Sequence, residues 1–236
     1  MRHFRAVIFD MDGLLLDTER IALASFLETC AHFGIAEHTE VFMQCIGTNA
    51  ALGRQVLKEG LEGKIDHAEF ERVWDTKYCR STANRPLPLK DGATELLEQL
   101  ASLKLPLAVA TSTTSFRAVQ KLRDAGILDK FDAVVGGDQV QHSKPHPAIY
   151  LKAAVVLGVT PRTCLALEDS ENGVRSALSA GMTVVQIPDL VQPSQSLRLL
   201  GHIILRSLHD VPSYPFSREE QANSSSSGRA VARRST

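Results

Sequence analysis

Short apolar runs that stop abruptly at an acid or a hydroxyl constrain this chain more than any other feature. Residues Ala6–Phe9 (AVIF) end at Asp10, LPLAVA ends at Thr111, DAVVGG ends near Asp138, and TCLALE ends at Asp169. A short run that is apolar on both faces is what a central parallel strand, buried from two sides, requires. MTVVQIP, at 182–188, is a further strand candidate. Helical stretches at 92–103, 116–125, 147–157 and 172–180 separate the runs. Gly126, Gly158 and Gly181 follow three of them, where a C-terminal cap belongs. Strands alternating with helices of this length predict a doubly wound, parallel α/β sheet. The chain has 236 residues, 44% of them hydrophobic, enough to bury a core of that size.

Residues 17–85 break the alternation. Apolar residues recur there at helical spacing in IALASFLETCAHFGI, AALGRQVLKEGL and HAEFERVWDTKYC. The segment reads as an all-helical insertion, a cap, with Pro86 and Pro88 marking the return to the core. The core is then 1–16 plus 86–212. From 213 the chain turns polar, with four consecutive serines and a basic end, and reads as a disordered tail. Trp74 and Phe70, four apart, read as cap core.

The formal net charge of −1 leaves no basic field for a polyanion, so nucleic acid is not an expected partner and a small molecule is. Cys30, Cys45, Cys79 and Cys164 are scattered without metal-ligand spacing and read as reduced thiols. No stretch is long and apolar enough for a membrane span, and Asp10 and Asp12 arrive too early for a signal peptide. A cytoplasmic location is expected. The oligomeric state is not legible.

Chemistry collects at the predicted strand ends. Asp10-Met11-Asp12-Gly13 places two carboxylates on one side of an extended chain, followed by a glycine that permits a sharp turn. In an open α/β sheet the ligand crevice lies at the carboxyl ends of the strands. Thr111 and Ser112 end another strand and offer donors suited to phosphate oxygens. Lys144 lies in H-S-K-P-H-P, between prolines that stiffen its loop, and Glu168-Asp169 brings a second acid pair. Each has an ordinary reading by itself: an Asx turn, a helix cap, a solvated lysine. Together they form a set of oxygen ligands for a hard cation beside donors for phosphate. His142 and His146 read as solvent-exposed, and Asp138 as a turn residue or an outer acid.

The runs FDMDGLLLDTE, the threonine of AVATS, the lysine of SKPHP, and LEDSENGVRSALSAGM resemble, in this order, the four motifs of the haloacid dehalogenase superfamily. The resemblance spans about residues 5–210 and is strongest to the phosphatase/phosphoglucomutase-like branch, whose Rossmann-like core carries a helical cap after the first motif. Its first motif resembles pseudouridine-5′-phosphatases, and its later motifs resemble hexitol- and sugar-phosphate phosphatases. The resemblance implies that Asp10 is a nucleophile forming an aspartyl-phosphate and that Asp12 is a general acid and base. Thr111, Ser112 and Lys144 would bind the transferred phosphate. Mg²⁺ would be held by Asp10, the Asp12 carbonyl and Asp169, with Glu168 as a ligand or just behind. Gly47 and Arg54, in the cap segment 46–54, would face the organic part of the ester. A β-phosphoglucomutase-type transferase is the alternative, but Ala22 and Ala50 stand where such mutases carry a histidine and an arginine. Ala148 departs from the acid that many members carry after K-P-x-P. A non-catalytic regulatory protein on this fold is the remaining alternative.

Overall fold

The structure, a computed structural model, describes residues 4–213 except 49, 62, 64 and 84. The tail expected from 213 onward therefore lies, past its first residue, outside the described residues. Six parallel strands form one sheet in the order β3-β2-β1-β4-β5-β6. They are β1 (Ala6–Phe9), β2 (Leu107–Ala110), β3 (Ala133–Val135), β4 (Cys164–Glu168), β5 (Thr183–Gln186) and β6 (Ile203–Ile204). The last escaped the sequence reading because two residues carry no periodicity.

Winding starts at the centre, runs out through β2 and β3, and then returns to the other side of β1 at β4. The crevice of an open α/β sheet lies at such a reversal. Register aims the strand ends at it: Phe9 pairs with both Val109 and Leu167. Asp10 and Glu168 thus leave neighbouring strands side by side, with Asp10 N donating to Leu167 O at 2.9 Å.

Side chains alternate across the sheet. Val7, Phe9, Val109, Leu165 and Leu167 join one buried cluster with Leu96, Leu97, Leu100 and Leu122, from α5 (Ala93–Ser102) and α6 (Ser115–Asp124). Ala6, Ile8, Ala108, Ala110 and Ala166 join the other with Ile149, Tyr150, Val174 and Ala177. Those residues belong to α7 (Ala148–Val156) and α8 (Glu171–Ser179). The small alanines on this face let both helices sit close to the backbone. Gly126, Gly158 and Gly181 take φ of 72°, 66° and 80° just past α6, α7 and α8, the left-handed cap position that favours glycine.

Between β1 and α5, in the segment read from the sequence as a cap, the described residues form four helices: α1 (Thr18–His32), α2 (Thr39–Cys45), α3 (Ala50–Gly60) and α4 (His67–Thr82). The short α2 had not been expected as a helix. Phe26, Phe42, Leu57, Leu61 and Phe70 form the cap's own buried cluster, with Trp74 packed against it. Phe26 meets the rings of Phe70 and Trp74 edge-on at 5.5 and 5.4 Å. The outgoing and returning chains pair at the cap's base, Asp17 N to Pro88 O and Lys90 N to Leu15 O, each 2.9 Å. Asp189, beyond β5, accepts from Arg20 and Lys90 at 2.7 Å each, tying α1 and the return chain to the core. Among the described residues no helix is long and apolar enough to cross a membrane. All four cysteines are free thiols.

Candidate active site

The end of β1 turns through Gly13, whose φ of 84° few side chains tolerate. A Cβ there would also collide with the Asp169 carboxylate, so the turn is sealed against the end of β4. This brings one carboxylate oxygen from each of Asp10, Glu168 and Asp169 within 4.8 Å of the others, and all three residues are buried.

Lys144 reaches into the cluster. Only 3% exposed, it donates to Asp10 Oδ1 and, at 2.6 Å, to Glu168 Oε1. Tyr150 Oη donates to the same Glu168 oxygen at 2.6 Å. The other oxygen, Oε2, accepts from Asp169 N at 3.1 Å, Ser170 N at 3.3 Å and Ser170 Oγ at 3.2 Å. Both Glu168 oxygens are thus occupied by donors, and the residue acts as the seat of Lys144. Lys144 is held by Asp10 and Glu168 in a chain that has alanine at 148.

Three buried carboxylates face one ammonium, and the imbalance is visible in the proton affinities of Asp10 and Asp169. Burial pushes Asp10 up to about 7 against the pull of Lys144, and Glu168 adds to the rise. Burial also drives Asp169 well above the usual carboxylate range, with Asp10 and Glu168 contributing. Burial alone would lower Lys144, but Asp10 and Glu168 outweigh it and raise the ammonium. A deficit of positive charge among oxygen donors only is the chemistry of a hard-cation site.

Asp12 has partners of its own beside this cluster. Its Oδ1 accepts from Thr18 Oγ1 at 2.6 Å and Lys121 Nζ at 2.7 Å, and its Oδ2 from Thr113 Oγ1 at 2.8 Å. Burial works to raise its carboxyl, but the Lys121 charge and these bonds outweigh burial and hold it below its ordinary value. Sequence reading missed Lys121, Thr18, Thr113 and Tyr150. Lys121 is one of several charges on α6, and nothing local separates it from a solvated lysine.

A cavity of about 280 Å³ joins these groups. Asp10, Asp12, Thr111, Ser112, Lys144 and Asp169 line it from the core, and Gly47, Ala22 and Glu19 from the cap side. Ser112 Oγ is buried with no hydrogen-bond partner among the described residues. Gly47 (φ 71°) rests on the core so closely that a Cβ would stand 2.6 Å from Ser170 Oγ. Burial and the charge of Asp12 push Glu19 up to about 8. Arg54 is not in this group; it lines a second, adjoining cavity with Trp74 and Tyr78. Asp138 stands apart as well, accepting from Ser115 N at 2.6 Å at the start of α6, and His142 and His146 are exposed.

Residues 7–187 match the haloacid dehalogenase-like hydrolase family, and the chain belongs to it. Within that family it is a phosphoric monoester hydrolase. A phosphorylated carbohydrates phosphatase of Thermotoga maritima is 36% identical over 75% of this chain and 82% of its own length. A fructose-1-phosphate phosphatase of Escherichia coli K12 is 32% identical over 78% of this chain and 96% of its own. The crystal structure of CbbY from Rhodobacter sphaeroides in complex with phosphate superposes with a TM-score of 0.72 at 27% identity, covering 88% of this chain and 96% of that one.

Proposed function

We propose that the protein hydrolyses a small phosphorylated metabolite, of the sugar, hexitol or nucleoside monophosphate class, through an aspartyl-phosphate on Asp10 with Mg²⁺ as cofactor. The observation that carries this reading is the convergence of Asp10, Asp12, Thr111, Lys144 and Asp169 on one cavity. The named substrates of the relatives favour the same class. The reading takes 1–16 and 86–212 as catalytic core and 17–85 as cap.

Asp10 attacks phosphorus with one carboxylate oxygen, and the ester oxygen departs with its electron pair. Asp12 supplies a proton to that oxygen and later takes one from the water that hydrolyses the acyl phosphate. Lys121, Thr18 and Thr113 favour the ionised Asp12 that the second step needs. An arriving phosphate adds negative charge nearby and so favours the protonated form required for the first. Lys144, Thr111 and Ser112 bind the transferred oxygens, where charge must be stabilised. Asp10, Asp169 and the Asp12 carbonyl would hold Mg²⁺, which when bound supplies positive charge between carboxylate and phosphate. Glu168 serves behind them, holding Lys144.

Hydrolysis is favoured over mutase chemistry because Ala22 lines the cavity at the position where such mutases carry a histidine. The test is release of inorganic phosphate from an aryl phosphate with Mg²⁺, comparing the native chain with Asp10→Asn. Turnover that survives the substitution removes Asp10 as nucleophile.

A further inference from the structure

A cavity of about 480 Å³ adjoins the phosphate site, and Cys45, Thr48, Tyr78 and Arg117 stand in the walls of both. Its charged lining residues are Arg54, Arg117, Glu71 and Asp75, two of each sign. Arg117 Nη2, on the core helix α6, lies 2.6 Å from Asp75 Oδ1 on the cap helix α4. Arg54 exerts its charge on Glu71, opposing the rise that burial imposes on that carboxyl. Arg117 is therefore already paired, and Arg54 shares the cavity with the carboxylate of Glu71. Leu57 and Trp74 give the wall an apolar part. The indole is fixed in place, donating from Nε1 to Ala22 O at 3.1 Å and packed edge-on against Phe26.

We propose that this second cavity receives the organic part of the ester and selects an uncharged, hydroxyl-rich group over one bearing a second phosphate. The proposal rests on the phosphatase reading above. A second phosphate entering here would meet Glu71 and Asp75 as like charges, and would have to draw Arg117 away from Asp75. A neutral polyol meets no such opposition. Its hydroxyls both donate to carboxylates and accept from guanidinium groups, so the Arg117–Asp75 pair stays compensated while water leaves. Its C–H face fits the wall of Leu57 and Trp74.

The test compares kcat/KM for fructose 1-phosphate and for fructose bisphosphate in the Mg²⁺-loaded protein, with an aryl phosphate to report the chemistry alone. The monophosphate is expected to be preferred by about tenfold or more, as like-charge opposition implies. In the double variant Glu71→Gln/Asp75→Asn, the ratio of the two kcat/KM values shifts toward the bisphosphate. The ratio is independent of any general loss of activity, and circular dichroism checks folding. If the double variant is misfolded, the single changes Glu71→Gln and Asp75→Asn replace it, each shifting the ratio the same way by less. A native preference for the bisphosphate, or a ratio unmoved in folded variants, overturns the proposal. Aryl phosphate turnover without preference between the sugars sinks this inference alone, whereas no turnover of any ester sinks the phosphatase reading beneath it.

Discussion

Lys121 Nζ stands 2.7 Å from Asp12 Oδ1, although 109 residues separate the two. The contact exists because α6 starts from the loop that carries Thr111, at the strand end beside that of Asp10. If Asp12 serves the leaving oxygen, Lys121 controls where that carboxyl points and what charge it meets. Lys121→Met is expected to lower kcat for a sugar phosphate by roughly a hundredfold, at the low end of general acid–base effects. An aryl phosphate, whose leaving group needs little protonation, should lose far less. Equal losses for both esters would separate Lys121 from leaving-group chemistry.

Tyr150 is wholly buried, and its hydroxyl shares Glu168 Oε1 with Lys144. Tyr150→Phe keeps the ring and deletes one hydrogen bond to a buried carboxylate. The expected loss is about 1–3 kcal/mol of stability, read as a fall in Tm of about 2–4 °C per kcal/mol for a chain of this size. An unchanged Tm would mean that the hydroxyl contributes nothing to seating Glu168.

Gly173 lies in the first turn of α8, where Ser170 Oγ caps its amide at 3.2 Å. A Cβ on it would occupy the place of the Glu168 carboxylate. Gly173→Ala should therefore cost about 1–3 kcal/mol through overpacking, despite alanine's better helix propensity. It should also cut kcat, because Glu168 cannot move without disturbing Lys144. A variant as stable and active as the parent contradicts this packing.

The acid cluster predicts an inverted pH response in protein stripped of divalent cations. Asp10 rises from 3.8 to about 7 and Glu19 from 4.5 to about 8, both driven first by burial. Between those limits the folded chain binds more protons than the unfolded one, so stability falls as pH rises from about 4 to about 8. Mg²⁺ held by Asp10 and Asp169 should restore stability at neutral pH by mass action. Thermal unfolding across this range, with EDTA and with Mg²⁺, measures both effects. A cation-free Tm that climbs steadily toward pH 8 is the opposite of what these buried acids require.

Much of the fold was legible locally. AVIF, LAVA and CLALE are apolar on both faces, and only a strand covered from two sides buries them. The glycines at 126, 158 and 181 mark helix ends through a backbone preference that needs no distant partner. β6 and α2 were not legible, because two and seven residues are too few to display a period. In the site, Asp10, Asp12, Thr111, Lys144 and Asp169 could be proposed because each sits next to a readable strand or turn. Arg54 was expected to face the organic part of the ester by its position in the cap segment, and only the packing of the helices shows that it lines the cavity adjoining the phosphate site rather than that site itself.

The sequence alone determined which residues reach the carboxyl edge of the sheet, since side-chain alternation and the strand termini are local properties. Tertiary structure decided what each of them meets there. Lys144 became a buried partner of Asp10 and Glu168, and Asp12 came under Lys121, Thr18 and Thr113. It also paired Arg117 of the second cavity with Asp75. Such pairings join positions far apart in the chain and depend on strand order and on how the cap is seated. Burial then fixes their strength, by removing the water that would otherwise make each charge nearly independent of its neighbours.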